Sequence, residues 1–264
     1  MTDTNQNNSI GESLSQLVEI IEKLRAPGGC PWDREQTPSS LLPYLLEEAY
    51  EVIESIEEGN QELLKEELGD LLLHVVFQAA ISKENGDFSL IDSLEYVNEK
   101  LVRRHPHVFG DKNADGPFHA KQNWEEAKHV EKKRKSRLDG VPKTLPALTK
   151  SQRLQEKASY TGFDWDKIDQ VWDKVHEEIQ ELKEAEKSGM TRNIEEELGD
   201  TLFSIVNLSR FLGISAETAL RKSNRKFMNR FKALELEYKK RGEKIEDSSL
   251  KEMDKIWNNV KKQT

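Results

Sequence analysis

The stretch EEAYEVIESIEEGNQELLKEELGD, residues 47–70, predicts the fold of the chain. It reads as two helices joined by a tight turn at Glu58-Gly59-Asn60. On a helical wheel of about 100° per residue, apolar side chains form one narrow stripe on each helix. The stripes consist of Leu45, Ala49, Val52 and Ile56 on the first helix and Leu64, Leu68, Leu71 and Val75 on the second. Two such stripes that pack face to face make a helical hairpin.

Four acids follow one flank of these stripes, namely Glu48, Glu51, Glu67 and Asp70. The hairpin would bring their side chains together beside the apolar seam. Ionised carboxylates in such a place repel one another and lose solvation, so either their pKa values rise or a cation joins them. An all-oxygen set of this kind suits a hard divalent ion such as Mg²⁺ or Mn²⁺. The alternative is a set of ordinary solvated glutamates on an acidic helix.

Residues 177–200, EEIQELKEAEKSGMTRNIEEELGD, repeat this pattern. The acids Glu178, Glu181, Glu197 and Asp200 each lie 130 positions after their counterparts, and ten of the 24 positions are identical. The apolar stripes return, and both copies place a glycine in the turn and end in EELGD. Duplication of a helical hairpin explains the likeness. A solvated face alone would not predict that these acids persist while their neighbours differ.

The composition favours helices with narrow apolar stripes, because 34% of the 264 residues are charged and 35% are hydrophobic. No segment has a convincing strand pattern. A net charge of −9 argues against nucleic acid as a partner, although a basic cluster at residues 128–137 leaves that alternative open. The most apolar run, residues 71–81, is too short and too polar to span a membrane.

The cell compartment is expected to be the cytoplasm. The one cysteine, Cys30, excludes an internal disulfide and fits a reducing environment. The N-terminus MTDTNQNNSIGES is polar and acidic, which is not the pattern of a signal peptide.

The repeat divides the chain into an N-terminal domain at residues 12–111, a polar connector at 112–144 and a C-terminal domain at 145–264. Residues 1–12 are expected to be disordered, with Ser13 as the N-cap of the first helix. The connector is expected to be exposed and partly helical.

The helix after each hairpin offers basic groups that could hold phosphates. The first copy has Asn98, Lys100 and Arg104 in NEKLVRR, and the second has Asn224, Lys226 and Arg230 in NRKFMNR, at the same spacing. The alternative for each is a charged surface helix.

These motifs together resemble the MazG family of nucleoside triphosphate pyrophosphohydrolases. The resemblance rests on the EExxE–ExxD hairpin, the loop GGCPWD at residues 28–33, the run VNEKLVRRHPHVFG at 97–110, and the doubled arrangement. It extends from about residue 12 to the C-terminus and is to the full-length two-domain bacterial form. It implies an all-α fold of two tandem MazG-like domains that pack as helix bundles in a homodimer. It also implies Mg²⁺-dependent hydrolysis of NTPs and dNTPs to the monophosphate and pyrophosphate, a housecleaning of the nucleotide pool.

The resemblance also implies roles for individual residues. In the family the C-terminal copy is usually the active one, so Glu178, Glu181, Glu197 and Asp200 are expected to be the catalytic metal ligands. The acids of the first copy form a second metal-binding set. The residues expected to bind the nucleotide are Lys174, Asn224, Lys226, Arg230 and Trp257. One position departs from the family pattern, because Asn193 stands where a lysine is frequent, and Arg192 is the candidate to replace that lysine.

The mechanism that follows is a hypothesis: water attacks the α-phosphorus, pyrophosphate leaves, and one motif carboxylate orients or deprotonates the water. Two other readings compete with it. A di-iron carboxylate bundle needs Glu-x-x-His pairs, whereas both repeats end in Glu-x-x-Asp. A non-catalytic helical interaction module would carry the acids as solvated faces.

Overall fold

The computed structural model of the chain describes residues 3–111, 113 and 115–263. Throughout these ranges the regular structure is helical and no β-strand occurs, as the sequence predicted. The chain divides into a first unit, Met1–Asn113, and a second unit, Ala114–Thr264. Every helix in the described part of the chain is too short or too polar to cross a membrane.

The first unit is built around the predicted hairpin. Its helices are α1 (Asp3–Arg25), α2 (Pro31–Glu35), α3 (Leu42–Glu58), α4 (Gln61–Glu84), α5 (Leu90–Arg104) and α6 (Pro106–Phe109). The turn between α3 and α4 requires Gly59, whose φ of +70° is left-handed, and Asn60 then caps α4 by accepting a hydrogen bond from the amide of Leu63 at 3.2 Å. The first helix begins at Asp3, so the prediction that it starts after Ser13 was wrong. Residues 1 and 2 of the segment predicted to be disordered lie outside the described residues.

The core of the first unit lies between α1 and the second half of α4, where Ile21 packs with Val76, Phe77 and Ile81. The predicted hairpin seam is buried only in part. Ile56, Leu68 and Val75 are exposed, so the prediction that these side chains would be covered within the hairpin was wrong. The helical period shows which side chains share a face, but it does not show what covers that face.

The second unit repeats the hairpin and adds a long helix. Its elements are α7 (Pro117–Glu131), α8 (Ala147–Ser159), α9 (Ile168–Ser188), α10 (Thr191–Phe211), α11 (Ala216–Arg241), a 3₁₀-helix (Ile245–Asp247) and α12 (Leu250–Gln263). Val171, Val175 and Leu208 form the core between α9 and α10. A separate core joins α11 to α12.

Helix α7 lies inside the stretch predicted to be the connector, yet it packs on α8. The buried Lys157 donates a hydrogen bond to Glu125 at 2.8 Å, and Gln122 donates one to the carbonyl of Tyr160 at 2.9 Å. Burial alone would raise the pKa of Glu125, but the hydrogen bond and charge of Lys157, with Lys128 and Arg153, lower it overall. The domain boundaries at residues 111 and 145 stay predictions.

Candidate metal centre

The hairpin of the second unit gathers the C-terminal acid cluster, defined as Glu178, Glu181, Glu197 and Asp200. One carboxylate oxygen from each of Glu178, Glu197 and Asp200 lies within 4.8 Å of the others. Helix geometry explains this grouping, because positions three apart on α10 share a face that meets α9. Glu178 is only 6% exposed, while Asp200 lies at the surface.

The carboxylates of this cluster disfavour one another's charge. Burial raises the pKa of Glu197, and the negative charges of Glu181, Asp200 and Glu178 raise it further. Glu181 therefore acts on the cluster electrostatically, although it lies outside the closest group of three. A bound cation would relieve this repulsion.

Lys174 stands one helical turn before Glu178 and already supplies one positive charge. Its Nζ lies 2.6 Å from Glu178 Oε1 and 2.9 Å from Glu177 Oε1, and these contacts raise the pKa of Lys174. On the other side, the hydroxyl of Thr201 donates to the main-chain carbonyl of Glu178 at 3.2 Å. The hydroxyl links α9 to α10 and sets where Glu178 stands relative to the acids of α10.

The N-terminal acid cluster, defined as Glu48, Glu51, Glu67 and Asp70, has the same plan. Single oxygens of Glu48, Glu67 and Asp70 lie within 4.8 Å of one another, and Glu67 is buried. Burial raises the pKa of Glu48 to about 7, with further contributions from the charges of Glu51, Asp70 and Glu67. Glu51 also lies within hydrogen-bonding reach of Glu48 and Glu67.

His74 borders the N-terminal acid cluster, although it was not predicted as a site residue. It follows Asp70 by one helical turn, and its Nε2 lies 3.9 Å from Glu48 Oε1. Burial lowers the pKa of His74, and the charge of Asp70 only partly opposes this, so the neutral ring is favoured. The spacing Asp70-x-x-x-His74 could have predicted that His74 lies beside this cluster, since residues four apart on a helix share a face.

Both clusters suit a divalent cation by the chemistry of their donors. Single oxygens of three carboxylates lie within 4.8 Å of one another in each cluster, and one of the three residues is buried. An oxygen-only set with net negative charge is what Mg²⁺ and Mn²⁺ bind in proteins, with the remaining positions left to water and phosphate oxygens.

The structure brings only one of the predicted nucleotide-binding residues, Lys174, into described contact with the C-terminal acid cluster. Asn224 and Lys226 are exposed on α11, and Arg230 is half-buried there. Trp257 of α12 packs on Phe227, with their ring centroids 5.4 Å apart. Arg192 and Asn193 lie in the first turn of α10. The roles of all these residues in nucleotide binding stay predictions.

The fold and the two acid clusters define a class of protein. The family model described as the MazG nucleotide pyrophosphohydrolase domain matches residues 36–109 and 168–234, so each match contains one hairpin and its acids. The chain belongs to this family, and the resemblance inferred from the motifs is confirmed.

Individual relatives match nearly the whole chain. It is 49% identical over 253 residues to the nucleoside triphosphate pyrophosphohydrolase/pyrophosphatase MazG of Thermotoga maritima, covering 95% of this chain and 96% of the relative. It is 43% identical over 256 residues to the nucleoside triphosphate pyrophosphohydrolase of Escherichia coli K12, covering 95% of this chain and 97% of the relative. It is also 45% identical over 251 residues to the uncharacterized protein YabN of Bacillus subtilis, covering 94% of this chain but 51% of that protein.

Proposed function

We propose that this protein hydrolyses nucleoside triphosphates, with ribose or deoxyribose, to the nucleoside monophosphate and pyrophosphate. The observation that carries the proposal is the convergence of Glu178, Glu197 and Asp200 within 4.8 Å on a hairpin of the family. The names of the relatives in Thermotoga maritima and Escherichia coli support the same activity.

The C-terminal acid cluster holds Mg²⁺, for which Mn²⁺ can substitute, and the N-terminal acid cluster is a second cation-binding set. When bound, the cation supplies positive charge that neutralises the phosphate oxygens and stabilises the charge that develops on pyrophosphate. The buried Glu178 is a fixed ligand, because Thr201 holds its main chain and Lys174 contacts its carboxylate. Asp200 at the surface leaves the cluster open toward solvent, where a triphosphate can enter.

The reaction forms one bond and breaks one bond at the α-phosphorus. The oxygen of a water molecule bonds to phosphorus, and the bond to the oxygen that bridges the α- and β-phosphates breaks. Pyrophosphate leaves with that electron pair. A carboxylate of the C-terminal acid cluster orients the water and takes its proton. Lys174 has three N–H donors, so it can reach a phosphate oxygen while it keeps its contact with Glu178.

The nucleotide is held by groups outside the acid cluster. We assign this role to Asn224, Lys226 and Arg230 of α11 and to Trp257 of α12, with Arg192 in place of the lysine absent at Asn193. We place the proposed activity in the cytoplasm, because the cell's nucleoside triphosphates are found there. The activity would remove unwanted nucleotides from the pool. The net charge of −9 makes nucleic acid and anionic membrane surfaces poor partners.

We also propose that the protein acts as a homodimer. Large apolar side chains on the outer faces of both hairpins are between 42% and 58% exposed, namely Tyr50, Ile56, Leu68, Leu72, Val75, Leu198, Leu202, Phe203 and Ile205. Apolar surface of this kind on a monomer marks an interaction site, and a second copy presents the matching surface by symmetry. Sedimentation equilibrium tests this: Leu202→Glu should give monomers, whereas Leu250→Glu, at an exposed site on α12, should leave the dimer intact.

Pyrophosphate release from a panel of NTPs and dNTPs tests the proposed activity. The full-length protein should release pyrophosphate with Mg²⁺ and stop when EDTA is added, and phosphorus NMR should show the monophosphate as the other product. The competing function is a non-catalytic helical interaction module. That function would be favoured if no triphosphate in the panel were hydrolysed at any Mg²⁺ concentration.

A further inference from the structure

The second unit contains a cavity of about 340 Å³ between α7, α8 and the turns that follow these helices. Its described lining includes none of the acids of the C-terminal acid cluster and none of the residues assigned to nucleotide binding. Glu126, Arg137 and Thr161 in its wall are exposed, so the cavity reaches solvent. Sites for small molecules have volumes of roughly 300–1,000 Å³, so this cavity is large enough to hold one.

Two charged side chains in the wall of this cavity are buried. Lys157 is 5% exposed and Glu125 is 8% exposed, and the Nζ of Lys157 donates to Glu125 Oε2 at 2.8 Å. An ammonium group has three N–H donors, and Glu125 is the one acceptor of Lys157 among the described residues. Burying a charge is costly unless its hydrogen bonds are satisfied. The remaining N–H groups of Lys157 therefore favour a ligand that brings acceptors.

The carboxylates of the wall already have partners. Glu125 Oε1 lies 3.3 Å from Arg153 and 4.0 Å from Lys128, while its other oxygen takes the hydrogen bond described above. Glu126 accepts a hydrogen bond from Arg137. Both acids of the wall are thus neutralised by the protein's own basic groups, and a cation is not needed to offset them.

The hydrogen-bonding capacity that is left in the wall consists mainly of donors. Arg137 has five N–H groups and Lys157 has three, and each makes one described hydrogen bond in this wall. The side chain of Asn123 makes no hydrogen bond within the described part of the chain, and the Nδ1 of His129 is buried there without a partner. Buried polar groups normally have partners, so the wall suits a ligand rich in acceptor oxygens.

The ion pairs at and behind the wall have a net positive charge. Five basic and three acidic side chains form them, namely Lys121, Lys128, Arg137, Arg153 and Lys157 with Glu125, Glu126 and Glu156. A local charge of +2 results, although the net charge of the chain is −9, and such a place attracts anions. A phosphate monoester carries about −1.5 to −2 charges at pH 7 and three strong acceptor oxygens, so it matches both the charge and the donors.

We propose that the cavity between α7 and α8 is a second ligand site, which binds a small phosphate monoester. Lys157, Arg137 and Asn123 donate hydrogen bonds to the phosphate. Tyr160 forms the wall for the organic group, and its ring packs against Phe118 with a centroid distance of 5.6 Å. The site takes part in no step of the proposed hydrolysis, so its test is independent of that activity.

Isothermal titration calorimetry with ribose 5-phosphate tests the proposal on the full-length protein freed of divalent cations. Ribose 5-phosphate should bind, whereas ribose, which lacks the phosphate, should not bind measurably. Lys157→Met removes a charged donor and should weaken the affinity about tenfold or more. Lys226→Met, the matched control on α11, should leave the affinity unchanged, because that lysine belongs to the proposed nucleotide site.

A second variant covers the case in which Lys157→Met does not fold, since that change leaves Glu125 buried beside fewer basic groups. Circular dichroism checks the fold of each variant. Asn123 is half-buried and makes no described side-chain hydrogen bond, so Asn123→Leu breaks none of the described bonds. It should still weaken the binding of ribose 5-phosphate several-fold, because it removes a donor to the phosphate.

Three results would overturn the proposal. The first is no binding of ribose 5-phosphate at millimolar concentration, and the second is ribose bound as tightly as its phosphate. The third is an affinity that falls in Lys226→Met but not in the variants of Lys157 and Asn123, which would assign the binding to α11. Pyrophosphate release is measured in parallel, and its absence from a protein that binds ribose 5-phosphate through Lys157 would overturn the proposed function alone.

Discussion

The two hairpins carry the same four acids, 130 positions apart, but the residues around these acids differ between the two hairpins. In the second unit the ammonium nitrogen of Lys174 lies 2.6 Å from Glu178 Oε1. In the first unit the corresponding residue is Tyr44, and the neighbouring group is the buried imidazole of His74. A duplicated hairpin can thus keep its four acids, while single neighbouring residues determine which group offsets the negative charge of those acids.

The difference has a consequence for protonation near neutral pH. Burial, with the charges of Glu51, Asp70 and Glu67, raises the pKa of Glu48 to about 7, so the N-terminal acid cluster can carry a proton where the C-terminal one has an ammonium group. A cation that bound the first cluster would displace a proton, and one that bound the second would share Glu178 with Lys174.

The largest expected effect separates the two clusters by activity. Glu178→Gln removes a buried carboxylate that is proposed to hold the cation, and it should lower the rate of pyrophosphate release about 10²–10³-fold or more. Glu48→Gln, the matched change in the first unit, should leave the rate within about threefold. Equal losses in the two variants, or full activity in Glu178→Gln, would contradict the assignment of hydrolysis to the second unit.

The next largest effect concerns Lys174. Lys174→Met removes the ammonium group proposed to meet the triphosphate and should lower kcat/KM about tenfold, a size ordinary for one charged hydrogen bond. Lys187→Met, at an exposed lysine in the last turn of α9, is the matched control and should have no effect. If both variants behave alike, the contact of Lys174 with Glu178 is only structural.

A third effect is the pH dependence of stability in EDTA. The pKa of Glu48 is about 7 in the folded chain against 4.5 for the free side chain, so the folded state binds more protons between these values. Stability should therefore fall as pH rises from 4.5 to 7, and Glu48→Gln should flatten that slope in thermal melts. Added Mn²⁺ should restore stability at pH 7. A Glu48→Gln protein with the same slope as the unaltered one would contradict this reading.

The smallest effect concerns the hydroxyl of Thr201. Thr201→Val keeps the shape of the side chain but removes its hydrogen bond to the carbonyl of Glu178, which should cost about 1 kcal/mol of unfolding free energy. The corresponding residue of the first hairpin is Leu71, which has no hydroxyl to donate. Ser209→Ala, at an exposed hydroxyl on α10, is the control, and a larger loss there than at Thr201 would count against the link between α9 and α10.

Much of this architecture could be predicted from the sequence, because local signals fix it. Gly59 and Gly189 mark the hairpin turns, and both adopt left-handed φ values. Ser89 and Ser215 cap the helices that follow the hairpins, as their positions before the periodic segments indicate. The spacing of the acids was enough to place three of them together in each unit.

Other features depend on tertiary contacts that periodicity does not encode. Leu68 lies on the predicted apolar stripe yet is exposed, because the core of the first unit forms against α1 instead. Helix α7 looks like a polar connector, but one buried ion pair, Glu125 with Lys157, fixes it to α8. His74 lies in an apolar run, and its position one helical turn after Asp70 is the sequence feature that places it beside the N-terminal acid cluster.

The most direct test of the central claim is anomalous diffraction at the manganese edge from crystals grown with Mn²⁺ and a non-hydrolysable triphosphate. The paired acidic helices are proposed to form divalent-cation sites. We expect a manganese peak between Glu178, Glu197 and Asp200, in contact with phosphate oxygens. Ordered nucleotide bound elsewhere, with these three carboxylates turned to solvent and no manganese peak among them, would contradict it.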